Sequence, residues 1–346
     1  MRYALVVAFS LSIALITAFY VAILDREPAE AAPRYEVSVW YPGWNTAGVS
    51  DYESVSKNIS MISNVSPYWY ALKPDGSVAA YEWAEDQKLL SLARDNDKPV
   101  TPLVTNEFDP DRVHRMLSTE SSRAVHIANL VNLVVSHGYA GLDLDYEMLR
   151  AEDRDRFSLF VESLASRLHN KGKTLSVAVH PKTSEPGSWG GPKAQDWKRL
   201  GRAVDEFRIM TYDYHWDGSK AGPAAPPGWI DEVLTFAESR VAPHKIRMGL
   251  PFYGRVWNGT DAQDLVYDEV RTLIDKHSAT VQRHSSGEPY FKYAGGRTVY
   301  FQDSRSLSTK LDVLIRKHPD VGGVTIWHVG GESQRNWNVI DQKLSP

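Results

Sequence analysis

A ten-residue stretch in the middle of the chain, residues 138–147, constrains the fold more than any other feature, because it combines a strand pattern with three acids. The side chains of a β-strand alternate between two faces, so Asp143, Asp145 and Glu147 would share one face at spacings of about 7 Å. The residues between them would form the opposite, apolar face.

Apolar runs at residues 127–135 and 157–168 flank the acidic stretch, which favours the centre of a sheet over an edge. Carboxylates on a central strand are costly unless they are hydrogen-bonded, share a proton or bind a metal. The alternative is a solvated acidic face, but buried charges are almost always paired or functional. The pattern therefore predicts a central strand that carries chemistry.

The spacing Gly141-x-Asp143-x-Asp145-x-Glu147 resembles the strand-four signature of glycoside hydrolase family 18, the chitinase family. That signature usually reads Asp-Gly-x-Asp-x-Asp-x-Glu. Ala140 stands where the leading Asp is common. Because this position precedes the inward-facing acids, we expect the departure to have little effect on the chemistry.

Three later segments resemble further family 18 motifs, in the expected order. They are residues 210–213 (Met-Thr-Tyr-Asp), 249–255 (Gly-Leu-Pro-Phe-Tyr-Gly-Arg) and 322–327 (Gly-Gly-Val-Thr-Ile-Trp). The resemblance thus covers almost everything after residue 34. Residues 300–303 and the helix pattern after them are most similar to the bacterial branch that includes spore-germination hydrolases.

Strand and helix patterns alternate along the rest of the chain, which predicts an α/β fold. The resemblance extends this prediction to a (β/α)8 TIM barrel over residues 34–346, with a small α+β insertion at about 256–304 between strands seven and eight. The expected strands are residues 36–40, 59–65, 99–104, 138–147, 175–179, 207–212, 246–250 and 321–327.

The first 33 residues resemble a targeting segment. An apolar run over residues 3–24 follows Arg2 and is long enough to span a bilayer as an N-terminal hydrophobic helix. Residues 29–32 (Ala-Glu-Ala-Ala) nevertheless offer a signal-peptidase site, so residues 1–33 are either an uncleaved anchor, which the length favours, or a cleaved signal peptide. Both predict that the barrel is extracytoplasmic.

Composition narrows the partners. The net charge of −4 argues against nucleic acid or anionic membrane surfaces, so we expect membrane contact only through the N-terminal segment. The absence of cysteine excludes disulfides, a thiolate nucleophile and Cys-ligated zinc. The 11 Trp and 17 Tyr residues suit a carbohydrate-stacking cleft as well as a core. We expect a monomer.

The resemblance implies substrate-assisted hydrolysis, the mechanism by which family 18 departs from the usual pair of catalytic carboxylates. The N-acetyl carbonyl of the substrate would attack the anomeric carbon and give an oxazolinium-like intermediate, with net retention. Glu147 would be the general acid and later the general base, and Asp145 would orient the acetamide. Asp143 would share a proton or hydrogen bond with Asp145, keeping Glu147 protonated near neutral pH. Tyr212 would hold the acetamide oxygen.

The resemblance and the positions at strand ends also suggest which side chains contact sugar. Trp327 would stack under the sugar, and Asp213 would hold either the substrate or Asp145. The expected contacts are Asp213, Trp327, Met210, Tyr253, Trp40, Trp69 and Tyr214, with Tyr68, Trp216 and Trp257 as further cleft candidates. About half of the aromatic candidates are expected to pack in the core or in loops instead. His180 and His215 follow strands five and six, so either could touch substrate, but each is more simply explained as a rim or packing residue.

The expected substrate is a β-1,4-linked N-acetylglucosamine glycan: chitin, chitooligosaccharides, peptidoglycan or an N-glycan core. No cofactor or metal is expected, since metal ligands usually come from several strands and loops. One alternative is a carbohydrate-binding barrel without catalysis, in which the acid at Glu147 would typically be lost. The other is a metal-dependent barrel hydrolase, which EDTA would inactivate.

Overall fold

The computed structural model describes residues 35–44 and 50–345, and Tyr35–Ser345 forms one compact unit. The predicted signal peptide or anchor, residues 1–33, lies outside the described residues. Within the described part of the chain, no helix is long and apolar enough to cross a membrane.

Eight parallel strands form a closed barrel. The first strand, β1 (Glu36–Tyr41), pairs with both β2 (Asn64–Leu72) and β14 (Gly323–Trp327), and this double pairing closes the sheet. A short strand, β3 (Val78–Ala80), adds an antiparallel hairpin to β2. The remaining barrel strands are β4 (Leu103–Thr105), β5 (Gly141–Asp145), β6 (Thr174–Val179), β7 (Glu206–Ile209) and β8 (Ile246–Pro251). The prediction of a (β/α)8 barrel is confirmed.

Helices surround the barrel, and their apolar faces pack on its strands. In the longest run predicted from helical spacing, the side chains of Phe157, Phe160 and Leu164 are fully buried. The helices are Asp51–Asn58, Gln87–Asp95, Pro110–Leu117, Glu120–Ser136, Arg154–His169, Gly190–Ala194, Trp197–Ala203, Pro227–Glu238, Ser304–Lys317 and Gln334–Leu344.

A second sheet of five antiparallel strands lies between β8 and β14 in the chain. Its strands are β9 (Gly254–Asn258), β10 (Asp261–Leu265), β11 (Gln282–Arg283), β12 (Pro289–Tyr293) and β13 (Arg297–Tyr300). The helix Tyr267–His277 connects β10 to β11, and its Val270 packs in a small apolar core with Phe291 and Val299. We call residues 254–300 the small sheet unit.

The barrel strands are buried on both faces, which explains why they read as apolar runs in the sequence. β8, for example, is buried along its whole length. Strand contact also dictates the glycine that begins β5: a Cβ on Gly141 would lie 2.3 Å from the carbonyl oxygen of Thr174 on β6. This packing brings β5 and its acids close to the neighbouring strand.

Candidate active site

The side chain of Asp143 crosses the barrel interior and contacts three other strands. Its Oδ2 accepts hydrogen bonds from Trp40 Nε1 on β1 and from Arg208 Nη1 on β7, both at 2.7 Å. Its Oδ1 accepts from the Ser176 hydroxyl on β6 at 2.6 Å. Three donors therefore hold both oxygens of a fully buried carboxylate.

Asp145 differs sharply from its neighbour. The family resemblance implied a shared proton or hydrogen bond between Asp143 and Asp145, but no hydrogen bond joins them among the described residues; Asp143 is bonded instead to Trp40, Ser176 and Arg208. Asp145 is only 7% exposed, and its Oδ1 is buried without a hydrogen-bond partner among the described residues. Burial, and secondly the charge of Asp143, raise the pKa of Asp145 to about 7. A polar group of a substrate would satisfy this unpaired oxygen.

Glu147 lies two residues beyond β5, which ends at Asp145 rather than at residue 147 as predicted. Asn106, which follows β4, explains the difference. Its amide donates to the Glu147 carbonyl and accepts from the Glu147 N–H, both at 2.9 Å. These two bonds replace the strand ladder and fix the backbone of Glu147 beyond the end of the strand.

The surroundings of Glu147 favour its protonated form. Burial, followed by the charges of Asp145 and Asp213, raises the pKa of Glu147 well above its usual range. His180, just after β6, places Nδ1 3.7 Å from Glu147 Oε2. Burial lowers the pKa of His180 to about 3, so the neutral imidazole adds no positive charge that would ionise Glu147. A carboxylic acid in this state can act as a general acid.

Tyr212 lies among these acids just after β7, which ends three residues earlier than predicted. Burial, followed by the charges of Glu147 and Asp145, raises the pKa of Tyr212 well above its usual range, so its hydroxyl remains a donor. Gly249 of β8 leaves room for the Tyr212 ring, since a Cβ at Gly249 would lie only 3.0 Å from a ring carbon. The ring of Tyr212 therefore lies directly against the backbone of β8.

Asp213 is tied to the small sheet unit rather than to Asp145. Its Oδ1 accepts a hydrogen bond from the Tyr253 hydroxyl and lies 3.0 Å from Arg255 Nη1. Arg255 also donates to Asp264 Oδ1 at 2.6 Å. Asp213 was expected to hold either the substrate or Asp145. No hydrogen bond joins it to Asp145 among the described residues, so the substrate remains as its expected partner.

Aromatic rings line a cleft of about 390 Å³, and one of them, Tyr253, is the hydrogen-bond partner of Asp213. Trp327, at the end of β14, packs edge-to-face on Trp40 and Tyr68, with ring centroids 5.9 and 6.3 Å away. The peptide bond between Trp327 and His328 is cis. The lining residues are Trp44, Tyr253, Asp264, Leu265, Val266, Glu269, Trp327 and His328.

Several expected sugar contacts lie elsewhere. Trp69 is a core residue, 0% exposed and packed on Tyr139, because its ring fills space inside the barrel wall. Trp40 is also buried, and its indole N–H serves Asp143 instead of sugar. Tyr214 is 46% exposed but lines a different cavity, together with Trp229. Met210 is buried directly after β7.

The donor set does not resemble a metal centre. No group of three or more His, Asp or Glu residues in the described ranges is arranged to hold a metal ion. The deepest acid, Asp143, is already ion-paired with Arg208. That no metal is required stays a prediction.

A family model described as "Glycosyl hydrolases family 18" matches residues 36–332. The chain belongs to glycosyl hydrolase family 18. The matched segment contains all eight barrel strands and every site residue named above, so the family 18 match and the geometry concern the same part of the chain.

Relatives of this family 18 chain include bacterial lytic enzymes. It is 31% identical over 281 residues to YdhD of Bacillus subtilis, provisionally named a sporulation-specific glycosylase, covering 76% of this chain and 65% of YdhD. It is 27% identical over 291 residues to the cortical fragment-lytic enzyme of Bacillus anthracis, covering 80% and 66%. The chain thus spans about two thirds of the length of these relatives.

A solved family relative has the same fold. The crystal structure of a chitinase from Chromobacterium violaceum matches with a TM-score of 0.83 and 25% identity, over 90% of this chain and 99% of that one.

Three residues at the site were not predicted to matter there. Arg208 stands between Phe207 and Ile209 in a strand pattern, and a cation at such a position could have indicated the buried ion pair with Asp143. His180 follows a strand, and the sequence favoured a rim or packing role over contact with substrate; in the structure it lies beside Glu147. Asn106 left no sign, since an Asn after a strand is most simply a turn residue.

Proposed function

We propose that this family 18 protein is a retaining hydrolase that cleaves β-1,4-linked N-acetylglucosamine glycans with the acetamide of the substrate as nucleophile. One observation carries the proposal. Asp145 presents a buried oxygen without a partner, and the neighbouring Glu147 is held in an environment that keeps it protonated. A hydrogen-bond acceptor beside a proton donor is the pair that substrate-assisted catalysis requires.

In the first step, Glu147 donates its proton to the glycosidic oxygen while the acetamide carbonyl oxygen attacks the anomeric carbon. The bond between that carbon and the glycosidic oxygen breaks, its electron pair stays on oxygen, and the leaving sugar departs as an alcohol. Asp145 in its ionised form accepts a hydrogen bond from the acetamide N–H and stabilises the positive charge of the oxazolinium. The Tyr212 hydroxyl donates to the acetamide oxygen.

In the second step, Glu147 is a carboxylate and removes a proton from water. The water attacks the anomeric carbon from the side that the leaving sugar vacated, and the carbonyl oxygen is displaced. The acetamide is restored, Glu147 regains its proton, and the configuration at the anomeric carbon is retained. Because both steps use one carboxyl group, its protonation must alternate within each cycle.

The relatives support two substrate classes. The Bacillus anthracis relative is a cortical fragment-lytic enzyme, and the Chromobacterium violaceum structure is a chitinase. Peptidoglycan and chitin both carry the 2-acetamido sugar that the mechanism demands. We propose these two glycans as the candidate substrates.

The small sheet unit would form one wall of the cleft, as the insertion does in the family. Its residues Asp264, Val266 and Glu269 line the same cavity as Trp327. We further propose that the barrel acts outside the cytoplasm, where both glycans occur, with residues 1–33 as signal peptide or anchor.

The proposal is tested by incubating the protein with chitooligosaccharides and with purified peptidoglycan in parallel. A thiazoline, which mimics the oxazolinium, serves as inhibitor. Cleavage of either glycan that the thiazoline blocks supports the proposal. Binding of glycans without any cleavage would instead identify a carbohydrate-binding barrel, and cleavage that EDTA abolishes would identify a metal-dependent hydrolase.

A further inference from the structure

Arg208 is a fully buried cation beneath the catalytic acids. Its Nη1 donates to Asp143 Oδ2 at 2.7 Å and to the Ser66 hydroxyl at 2.5 Å. Its Nη2 donates to Asn64 Oδ1 at 3.1 Å, and its Nε donates to Glu206 Oε2 at 3.0 Å. Every edge of the planar guanidinium is therefore occupied, the geometry for which arginine is suited in buried ion pairs.

The pair formed by Asp143 and Arg208 is the inner end of a chain of ion pairs. Arg208 Nη2 lies 2.8 Å from Glu206 Oε2, and Arg247 Nη2 lies 3.5 Å from Glu206 Oε1. Arg247 is paired in turn with Glu36, whose side chain is 47% exposed near the beginning of β1. Charges of alternating sign thus lead from solvent to the deepest catalytic acid, and each buried charge has an opposite neighbour.

We propose that Arg208 is a positioning residue that holds Asp143 as a permanent carboxylate, so that Asp145 and Glu147 alone carry the catalytic proton. The bonding at Asp143 supports this. Trp40 and Arg208 can only donate, so Oδ2 accepts from both and carries no proton. The buried ion pair with Arg208 at 2.7 Å also favours the carboxylate over a proton on Oδ1, which contacts the Ser176 hydroxyl at 2.6 Å. The inference rests on the proposed function, because it assigns the proton used in that reaction.

A permanent negative charge on Asp143 raises the pKa of Asp145, because Asp145 must ionise beside a like charge. The active form then has Asp145 ionised and Glu147 protonated, and the acid limb of the pH–rate profile reports the ionisation of Asp145. The other titratable groups that face these two acids come from β2 and from the segments after β6 and β7: Tyr68, His180, Tyr212 and Asp213.

Those neighbours leave the acid limb to Asp145. Burial raises the pKa of Tyr68 and of Tyr212, and it lowers the pKa of His180 to about 3. Burial also raises the pKa of Asp213, against the effect of its partner Arg255, but the pKa of Asp145 is raised by its own burial and by the charge of Asp143. Within the described structure, Asp143 is thus the charged side chain whose state most directly sets where Asp145 ionises.

The variant Arg208→Gln tests the proposal. Without the guanidinium, Asp143 is a buried carboxylate without a counter-ion and takes up a proton. Asp145 then loses the repulsion of a neighbouring charge and ionises more easily. We expect the acid limb of kcat/KM, measured on whichever glycan the wild-type protein cleaves, to move to lower pH by about one to three units.

A second variant keeps the test decisive if Arg208→Gln does not fold. Asp143→Asn removes the same negative charge while the guanidinium stays, and it should move the acid limb in the same direction. If Asp143 were instead protonated in the wild-type protein across the acid limb, its replacement by Asn would remove no charge and would leave the limb in place.

Two controls separate this role from a structural one. Arg247→Gln removes the next arginine of the ion chain, which does not contact Asp143, and should leave the acid limb at its wild-type position. Arg208→Lys keeps a positive charge near Asp143, so the acid limb should stay close to its wild-type position. An acid limb that is unchanged or shifted to higher pH in folded Arg208→Gln, or in Asp143→Asn, would overturn the proposal. A wild-type protein without glycosidase activity would refute the proposed function instead.

Discussion

At the scale of single residues, one strand and its end supply three carboxyl groups in three different environments. Asp143 is saturated with donors, Asp145 keeps a buried oxygen free, and Glu147 is desolvated beside two other acids. Crowding of like charges in a buried site separates their protonation states. In the proposed mechanism, the environment alone thereby distinguishes the general acid, Glu147, from the stabilising carboxylate, Asp145, although both are carboxyl groups.

Replacement of the general acid should abolish turnover while sugar binding persists. For Glu147→Gln we expect kcat to fall by at least the ~10²–10⁴-fold typical of a lost general acid, because the amide cannot protonate the leaving oxygen. Steady-state kinetics and calorimetric binding of a chitooligosaccharide would measure both effects. Glu152→Gln, at a side chain that is 66% exposed, is the matched control and should behave as wild type. Near-full activity of Glu147→Gln would rule out the mechanism.

The raised pKa of Asp145 also predicts a pH-dependent gain of stability on its removal. In the folded protein this carboxyl ionises near pH 7 instead of about 4, so its ionisation costs free energy of folding as pH rises through that interval. Asp145→Asn has no charge to bury. We expect its melting temperature to exceed that of the wild type by roughly 2–4 °C or more at pH 8, with the gain vanishing near pH 4.

Thermal unfolding at pH 4, 6 and 8 measures this effect. Asp155→Asn, at a side chain that is 88% exposed, should show no such trend. The Asp145→Asn protein should be inactive at every pH. A pH-independent change in melting temperature would contradict the assignment of a costly buried charge to this position.

At the scale of elements, the ends of strands matter more than their middles. β5 ends at Asp145, and Glu147 is positioned by the segment after the neighbouring β4 through Asn106. Asp213 is similarly fixed by Arg255 at the start of the small sheet unit. The backbone of Glu147 and the side chain of Asp213 are thus each held by an element other than their own, which provides the preorganisation that the proposed chemistry requires.

Asn106→Ala tests this support. Loss of both bonds to the Glu147 backbone should let the acid move away from the glycosidic oxygen, and we expect kcat to fall on the order of tenfold or more with a smaller change in KM. Asn96→Ala, at an exposed Asn whose amide also bonds a backbone carbonyl, is the matched control. Equal kinetics for the two variants would mean that Asn106 plays no part in positioning Glu147.

The sequence predicts a structural feature when the residues that cause it lie within one segment of the chain, and fails when they lie far apart. The strand pattern that carries Asp143 and Asp145 and the apolar periodicity of the barrel helices are local patterns, and both appear in the structure, whereas Glu147 lies beyond the end of the strand. The termination of β5 depends on Asn106, which is 41 residues away from Glu147, so no local pattern predicts it. The same holds for Trp69, since core and cleft tryptophans look alike in a sequence.

At the scale of the whole molecule, a closed barrel provides the rigid frame and two additions adapt it. The ion chain from Glu36 to Asp143 runs between barrel strands, and the small sheet unit contributes Asp264, Val266 and Glu269 to the wall of the cleft that Trp327 also lines. The proposed chemistry needs both features. The ion pair of Asp143 and Arg208 would set the protonation of Asp145 and Glu147, and the cleft lined by Trp327 would hold the sugar.

The most direct test of the central claim follows the anomeric configuration of the first product. Proton NMR recorded during cleavage of a chitooligosaccharide distinguishes the α- from the β-anomer before mutarotation mixes them. Attack by the acetamide followed by attack of water predicts that the β-anomer appears first. Initial release of the α-anomer would show a single inversion by water and would contradict the account.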